Sequence, residues 1–487
     1  MVFNYSKSNL PKQLFINNEY VASKNSKKLE LFNPKDGSLV ANDVDLAGAE
    51  DVDAAVSAAE KAFPAWKKIP AQARQEMMNK FAALIQKHSV ELAELSRITL
   101  GAPSAISHRE TMIAEEKFKY FAAWIDKFAG ESFPQDDGFL KIVRNEPLGV
   151  VAGVVPWNGP LATASSKAAP ALATGNCFIL KPSEKTPFSA LALGPLIIEA
   201  GFPPGVFQIL SGDGSTGALL SSHMRIRKIS FTGSIPTGKR IQEAAAKSNL
   251  KRVTLELGGK SPAVVFDDAN LENAITWCAR ALTLNTGQIC FAATRVYVQE
   301  GVYEKFVEGY KKALLKAAEN IGDPEAESTT MGPLVDKAQF DRVSGFIERG
   351  KNGQGTLLTG GSRVGSQGYF IQPTVFTNVD PDAEIIRQEI FGPVSVLNSF
   401  KTEEEIIEKC NDTNYGLMAG VFTQDINRAL RVASEFDAGM VGVNCVSLSF
   451  KQTPFGGTKE SGLGRENGSA ALRAYTDQKT VMINLTY

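Results

Sequence analysis

Between residues 148 and 258, short apolar runs alternate with stretches of helical spacing, and this alternation limits the fold more than any other feature of the chain. The runs are GVVAGVVP (149–156), NCFILKP (176–182), GVFQIL (205–210), KISFTG (228–233) and RVTLELGG (252–259), with helix candidates TPFSALALGPLIIEAG and TGKRIQEAAAKS between them. β-Branched runs separated by helices of ~10–15 residues are the pattern of parallel βαβ units. A doubly wound sheet is expected over 148–258. Upstream, Val52, Val56, Ala59 and Phe63, and then Met77, Phe81, Leu84, Ile85 and His88, recur at helical spacing, so residues 49–63 and 72–88 predict amphipathic helices. A second alternating series runs from SPAVVF through TRVYVQ, GYFIQPTVF, GPVSVLNSF and GLMAGVFT to AGMVGVN. It predicts a second α/β domain, with the seam near Gly258–Gly259. The length of 487 residues agrees, because one core stops growing at ~250–300 residues.

Charge and cysteine usage exclude several function classes. Lys and Arg number 52 against 53 Asp and Glu, with no long block of one sign, which argues against nucleic acid as a partner. No run approaches the ~18–20 apolar residues of a membrane span, and the N-terminus lacks the apolar core of a signal peptide. The cysteines Cys177, Cys278, Cys290, Cys410 and Cys445 are odd in number and form no CxxC pair, so neither a disulfide framework nor a zinc site is expected. A reducing compartment, the cytoplasm, is the expected location. His88, His108 and His223 are too few for a metal cluster, and no metal is expected.

Several residues could carry chemistry. SGDGSTG holds Gly212, Gly214 and Gly217 as a GxGxxG after a strand, yet no acidic residue follows in TGSIPTGKRIQ to hold a ribose, so a plain glycine turn explains it equally well. The next turn, FTGSIPTGK, opens a helix at Gly233, Ser234 and Gly238 and is the preferred anion site. Asn158 follows one strand in PWNGP, Lys181 and Glu184 follow the next in KPSEKTP, and Glu256 ends a third beside Gly258 and Gly259. Strand ends of this kind are where open α/β sheets bind ligands. Cys290, in NTGQICFAATR, is either a buried structural thiol or a nucleophile.

Seven stretches decide between those readings. PWN (156–158), KPSE (181–184), FTGS (231–234), LELGGKSP (255–262), NTGQIC (285–290), EIFGPV (389–394) and PFGGTKESGLGRE (454–466) occur in the order and spacing of the aldehyde dehydrogenase superfamily, which the chain resembles over nearly its whole length. The resemblance implies an α/β fold of two doubly wound domains: a Rossmann-type cofactor domain (1–127 and 148–258) and a catalytic domain (259–460). A small β-flap (128–147 and 470–487) for oligomerisation would complete it, as homodimer or homotetramer. It implies that Cys290 is the nucleophile, Glu256 the general base and Asn158 the oxyanion donor. Lys181 and Glu184 would hold the adenosine ribose, Trp157 and Ser234 line the phosphates, and Glu389 hold the nicotinamide ribose. Val155, Pro156, Ser183, Gly214, Gly217, Phe231, Thr232, Gly233, Leu257 and Phe391 complete the implied cofactor set. NAD is the expected cofactor, with NADP admitted as a second, because Glu184 would repel a 2′-phosphate while Lys181 softens that repulsion.

The implied reaction turns an aldehyde into its acid through a thiohemiacetal, hydride transfer and hydrolysis of a thioester. A cysteine hydrolase or acyltransferase would want a histidine base, and the nearest, His223, lies 67 positions before Cys290 (290 − 223). Glu256 counts against a relative that passes the acyl group to coenzyme A, and the complete Cys–Glu–Asn set counts against a non-catalytic protein. Where many family members carry bulky aromatics, this chain has Gly159 and Ser166, while Ile289, Phe291 and Phe455 remain as pocket walls. A wide pocket for a bulky or aromatic aldehyde is therefore expected. The alternatives are that a neighbouring loop near Ile113–Phe118 or Val446–Phe450 fills the space, and that the substrate is a semialdehyde or a small aliphatic aldehyde.

Overall fold

The computed structural model describes residues 2–487 and resolves the apolar runs into two sheets. The first sheet contains β1 (Leu14–Ile16), β2 (Glu19–Val21), β3 (Val150–Val154), β4 (Cys177–Lys181), β5 (Phe207–Ile209), β6 (Lys228–Thr232) and β7 (Arg252–Glu256). The second contains β8 (Ser261–Val265), β9 (Ala293–Gln299), β10 (Thr356–Thr359), β11 (Thr374–Thr377), β12 (Val394–Phe400), β13 (Met418–Phe422) and β14 (Met440–Val443). A last two-residue strand, β15 (Gly462–Leu463), returns to the first sheet, whose order is β15-β7-β6-β3-β4-β5-β1-β2. The second runs β10-β11-β12-β9-β8-β13-β14. The central strands β3, β4 and β8 are buried at every residue, the requirement of a sheet covered by helices on both faces.

The first sheet is larger than residues 148–258. Its antiparallel edges come from β1–β2 at one end of the chain and β15 near the other, pieces of two or three residues too short to show a period. The expected single helix over TPFSALALGPLIIEAG is two, Phe188–Leu191 and Gly194–Ala200. Pro195 explains the break: it lacks an amide proton, and its ring would press on the carbonyl four residues earlier, at Leu191. A separate three-stranded antiparallel sheet joins Glu131–Phe133, Phe139–Pro147 and Thr476–Asn484.

Register places the chemistry. In parallel pairing Val154 lies beside Lys181, Phe231 beside Val154 and Thr232 beside Glu256, so β4, β3, β6 and β7 end on one rim. β3 leads to β4 on one side, whereas β6 lies on its other side, so the chain reverses direction across the sheet between β3 and β6. Crevices at such reversals are the ligand sites of open α/β sheets. Four helices border this rim: α1 (Ser104–Ala122), α2 (Pro160–Ala173), α3 (Gly214–Ser222) and α4 (Ile235–Lys247).

Beneath the rim lies a buried ion pair. Lys167 of α2, 0 % exposed, donates to the Glu466 carboxylate and, at 3.1 Å, to Ser230 of β6; the Ser230 hydroxyl reaches the same Glu466 oxygen at 3.1 Å. Glu466 is held in turn by paired backbone bonds of 2.7 Å to Phe455. Breaking a buried pair from one side leaves a bare charge and costs about 3–5 kcal/mol, while replacing both partners with apolar groups is often neutral. Glu466→Ala should therefore lower the urea midpoint of unfolding strongly, and Lys167→Met combined with Glu466→Leu should recover most of the loss. Equal losses in the single and double variants would show that the pair is not what holds this region.

Candidate active site

The residues after β3, β4 and β6 face a segment of the second sheet across the crevice. That segment, 285–291, enters β9 through three successive left-handed residues, Asn285 (φ 49°), Thr286 (φ 57°) and Gly287 (φ 70°). Such backbone is costly for residues with a side chain and persists only where the surroundings enforce it. Here Thr286 Oγ1 donates to the Gly332 carbonyl (2.9 Å), and the Gln288 side chain donates to Asn285 O (3.1 Å) and accepts from Val335 N (3.0 Å). Across the crevice Asn158 Nδ2 donates to Gln288 O at 2.9 Å, and Asn285 Nδ2 donates to Asn158 O at 3.2 Å. The two sheets are thus stitched together two residues before Cys290.

A cavity of about 420 Å³ opens here, lined by Asn158, Gly159, Ser166, Thr232, Ile289, Cys290, Phe291 and Phe455 among others. Phe291 and Phe455 meet edge to face, with centroids 5.6 Å apart. The room that Gly159 and Ser166 leave is not empty. α1, a helix and not a loop, projects Glu110 and Lys117 into it, seven positions apart and so on one face. Glu110 Oε1 lies 3.3 Å from where a Cβ on Gly159 would stand, and Lys117 Nζ donates to Ser166 Oγ. Ser447–Phe450 line the same cavity. The α1 residues and Arg280 escaped the sequence reading because charged positions on an amphipathic helix look like a solvated face.

Electrostatics separate the two reactive groups from their solution behaviour. Glu256 is 1 % exposed, and neither carboxylate oxygen has a hydrogen-bond partner. Burial lifts its proton affinity well above the usual carboxyl range and Glu466 adds to the rise, with Lys167 and Arg465 opposing. No side chain fits at Gly456, where an added Cβ would sit 2.6 Å from Glu256 Oε1. Burial likewise raises the Cys290 thiol, reinforced by Glu389 and Glu256 and opposed by the backbone N–H groups of Phe291 and Cys290. At rest the thiol keeps its proton. Glu389 is pushed up to about 7 by burial, against the pull of the Gly259 N–H, Lys260 and Arg342. Its Oε1 accepts from Gly259 N at 3.1 Å.

The rest of the rim suits a dinucleotide. The Thr232 hydroxyl is buried without a partner. α4 opens at Ser234 with no side-chain cap, Ser234 Oγ turning instead to Thr237 Oγ1 (3.0 Å), so first-turn amides face the crevice. By contrast α3, which begins at Gly214, is capped by Asp213, whose carboxylate accepts from Ser215 N. A Cβ on Gly233 would strike the Phe231 ring at 2.4 Å, and one on Gly217 would stand 3.9 Å from Lys181. The buried Lys181 ammonium donates to Pro182 O (3.0 Å) and lies 3.8 Å from Glu184, with Ser183 between them in the chain. Trp157 packs edge to face on Phe391 at 5.2 Å, and Lys185 lies 5.5 Å over its ring. Val155 donates to Lys181 O at 3.1 Å, Pro156 lines the cavity, and Leu257 is held by Ser461 O at 2.9 Å. Uncapped helix amides together with the carboxylates Glu184 and Glu389 are groups that could hold the phosphates and ribose hydroxyls of a dinucleotide.

Known proteins resemble this chain in sequence and fold. A model of the aldehyde dehydrogenase family matches residues 20–481. An aldehyde dehydrogenase of Agaricus bisporus is 45 % identical over 478 residues, covering 97 % of this chain and 95 % of that protein. The NAD+ complex of an aldehyde dehydrogenase from Bacillus cereus superposes with a TM-score of 0.95 at 42 % identity, covering 98 % and 97 % of the two chains. An NADP-dependent enzyme of E. coli superposes with a TM-score of 0.95 at 37 % identity, covering 98 % of each chain.

Gly259 lies in the short link between the two sheets. A Cβ there would lie 2.3 Å from the Cys290 carbonyl oxygen, a backbone atom that cannot rotate away. Gly259→Ala should therefore displace Cys290 and lower kcat by at least ~10²-fold, the cost of about 1 Å of misplacement, while circular dichroism stays native. Wild-type turnover in that variant would show that the segment yields without affecting the reacting geometry.

Proposed function

Because the chain belongs to the aldehyde dehydrogenase family, and is thus an oxidoreductase of aldehydes, we propose that Cys290, Glu256 and Asn158 oxidise the aldehyde to its acid at the crevice between the two sheets. The observation that carries the assignment is a cavity lined by a thiol and a side-chain amide with a spare N–H, beside a buried, unpartnered carboxyl that does not line the cavity but is near enough to raise the thiol.

The Cys290 sulfur adds to the carbonyl carbon as its proton passes to solvent water, the carbonyl π bond becoming the oxyanion, and the backbone N–H groups of Cys290 and Phe291 favour the thiolate. The oxyanion that forms needs donors. Asn158 has two amide protons and commits one to Gln288 O, so the other is available together with the Cys290 N–H. Lys181, Glu184, Ser234 and Glu389 would hold a nicotinamide dinucleotide, which when bound supplies the acceptor for the hydride leaving that carbon. Loss of hydride leaves a thioester on Cys290. Glu256, whose proton affinity is raised by burial and by Glu466, takes a proton from water as the water oxygen attacks the thioester and frees the acid.

NAD is the proposed cofactor in preference to NADP. With the adenosine ribose held by Glu184, a 2′-phosphate would meet a like charge, although Lys181 at 3.8 Å from Glu184 would offset part of it. All five cysteines are free, which supports the cytoplasm as the location. The exposed Phe133, Phe139, Met482 and Ile483 of the three-stranded sheet support its use as a subunit contact in a homodimer or homotetramer.

Three measurements test this reading. Cys290→Ala should abolish aldehyde oxidation while NAD still binds in titration; turnover above a trace would reject the nucleophile. Glu256→Gln should give a rapid burst of NADH followed by very slow turnover, because only the hydrolytic half needs the base; loss of the burst would assign Glu256 to an earlier step. The kcat/KM ratio of NAD to NADP should exceed one, and a preference for NADP would reject the assigned place of Glu184.

A further inference from the structure

Lys117 enters the substrate cavity from α1 with its charge uncompensated. Its ammonium donates to Ser166 Oγ and, at 3.4 Å, to the Ala162 carbonyl. Both are neutral acceptors, and no carboxylate of the described residues stands within 4.0 Å of it. Three other lysines around the cavity are paired, Lys167 with Glu466, Lys185 with Asp336 at 2.6 Å and Lys451 with Glu116 at 2.8 Å, whereas Lys260, beside Gly259, is buried without a partner outside the cavity lining. Glu110, on the same face of α1, does not supply the missing charge, since burial pushes its carboxyl up to about 8 and it holds its proton at neutral pH. Burial draws the Lys117 ammonium down to about 8, with Glu466 opposing and Lys167 adding, so it is still mainly protonated at neutral pH. Arg109 and Arg280 stand exposed at the rim and form no ion pair among the described residues.

Lys117 is partly buried, and a partly desolvated ammonium without a counter-ion is unfavourable, so a ligand that brings one removes that penalty. Of the three protons on Lys117 Nζ, one goes to Ser166, one makes the long contact to Ala162, and the third has no partner. A single carboxylate oxygen satisfies it. Phe291 and Phe455 line the same cavity as Lys117 and Cys290, and their rings suit the middle of a substrate. Resting on the aldehyde-oxidising role assigned to Cys290, we propose that the preferred substrate carries a carboxylate at the end remote from its aldehyde, and that Lys117 is the residue that selects it.

Three aldehydes separate charge from shape: 4-formylbenzoate, its methyl ester and benzaldehyde, assayed with the full-length enzyme and NAD. The carboxylate should exceed the ester in kcat/KM by about 10- to 100-fold, the range of a charge-assisted hydrogen bond, and mainly through KM. Lys117→Met should remove that ratio, whereas Lys117→Arg should keep most of it. The aliphatic pair 6-oxohexanoate and hexanal should show the same preference. An ester as good as the acid, or a Lys117→Met variant that lowers all three in equal proportion, overturns the inference while leaving aldehyde oxidation intact. No NADH from any of these aldehydes would overturn aldehyde oxidation itself, and the inference with it.

Discussion

The buried contact between Lys167 and Glu466 is the constraint on which most of the site depends. It joins α2, which follows the Asn158 turn, to β6, which ends at Thr232, and to a segment near the far end of the chain. An ion pair so withdrawn from water contributes little net stability but strongly disfavours any arrangement that separates its members. It therefore acts on uniqueness more than on strength. Burial does most to raise the proton affinity of Glu256, and Glu466 adds to the rise while Lys167 opposes it, so the contact that positions the rim also acts on the base.

The reacting groups come from opposite kinds of edge. Asn158 and Glu256 stand at carboxyl ends of parallel strands in the first sheet, whereas Cys290 precedes the amino end of β9 in the second. Neither sheet holds the set alone. The link 257–260 is short, and the carboxylate of Glu389 and the carbonyl of Cys290 approach its glycines so closely that no side chain fits. Relative movement of the sheets is thus limited at the point where their groups must meet.

Much of this was legible in the sequence because parallel strands buried on both faces must be continuously apolar. β3, β4, β6 and β7 and the whole second series except β10 stood out for that reason. β1, β2 and β15 did not, since two or three residues carry no period, and the split at Pro195 was hidden inside a run of good helical spacing. The groups at the strand ends were readable through their motifs, and the glycines beside them through what close approach demands. The contribution of α1 was not. Glu110 and Lys117 have the spacing of an ordinary amphipathic helix, and only the packing of that helix on α2 turns a face that reads as solvated toward a cavity. The volume argument from Gly159 and Ser166 overlooked them, because it asked what those positions lack and not what a neighbouring element brings.

β15 has a bearing on how the protein is made. The edge of β7 that it covers belongs to a sheet whose other parallel strands have all emerged by residue 256, yet its partner arrives only at residues 462–463, after every strand of the second sheet. On the ribosome the strand that ends in Glu256 is therefore synthesised long before its outer neighbour. An open parallel edge is a template for pairing with another chain. During that interval the nascent chain depends on other devices, such as chaperones or the growing second sheet, to keep this edge from pairing with a different polypeptide.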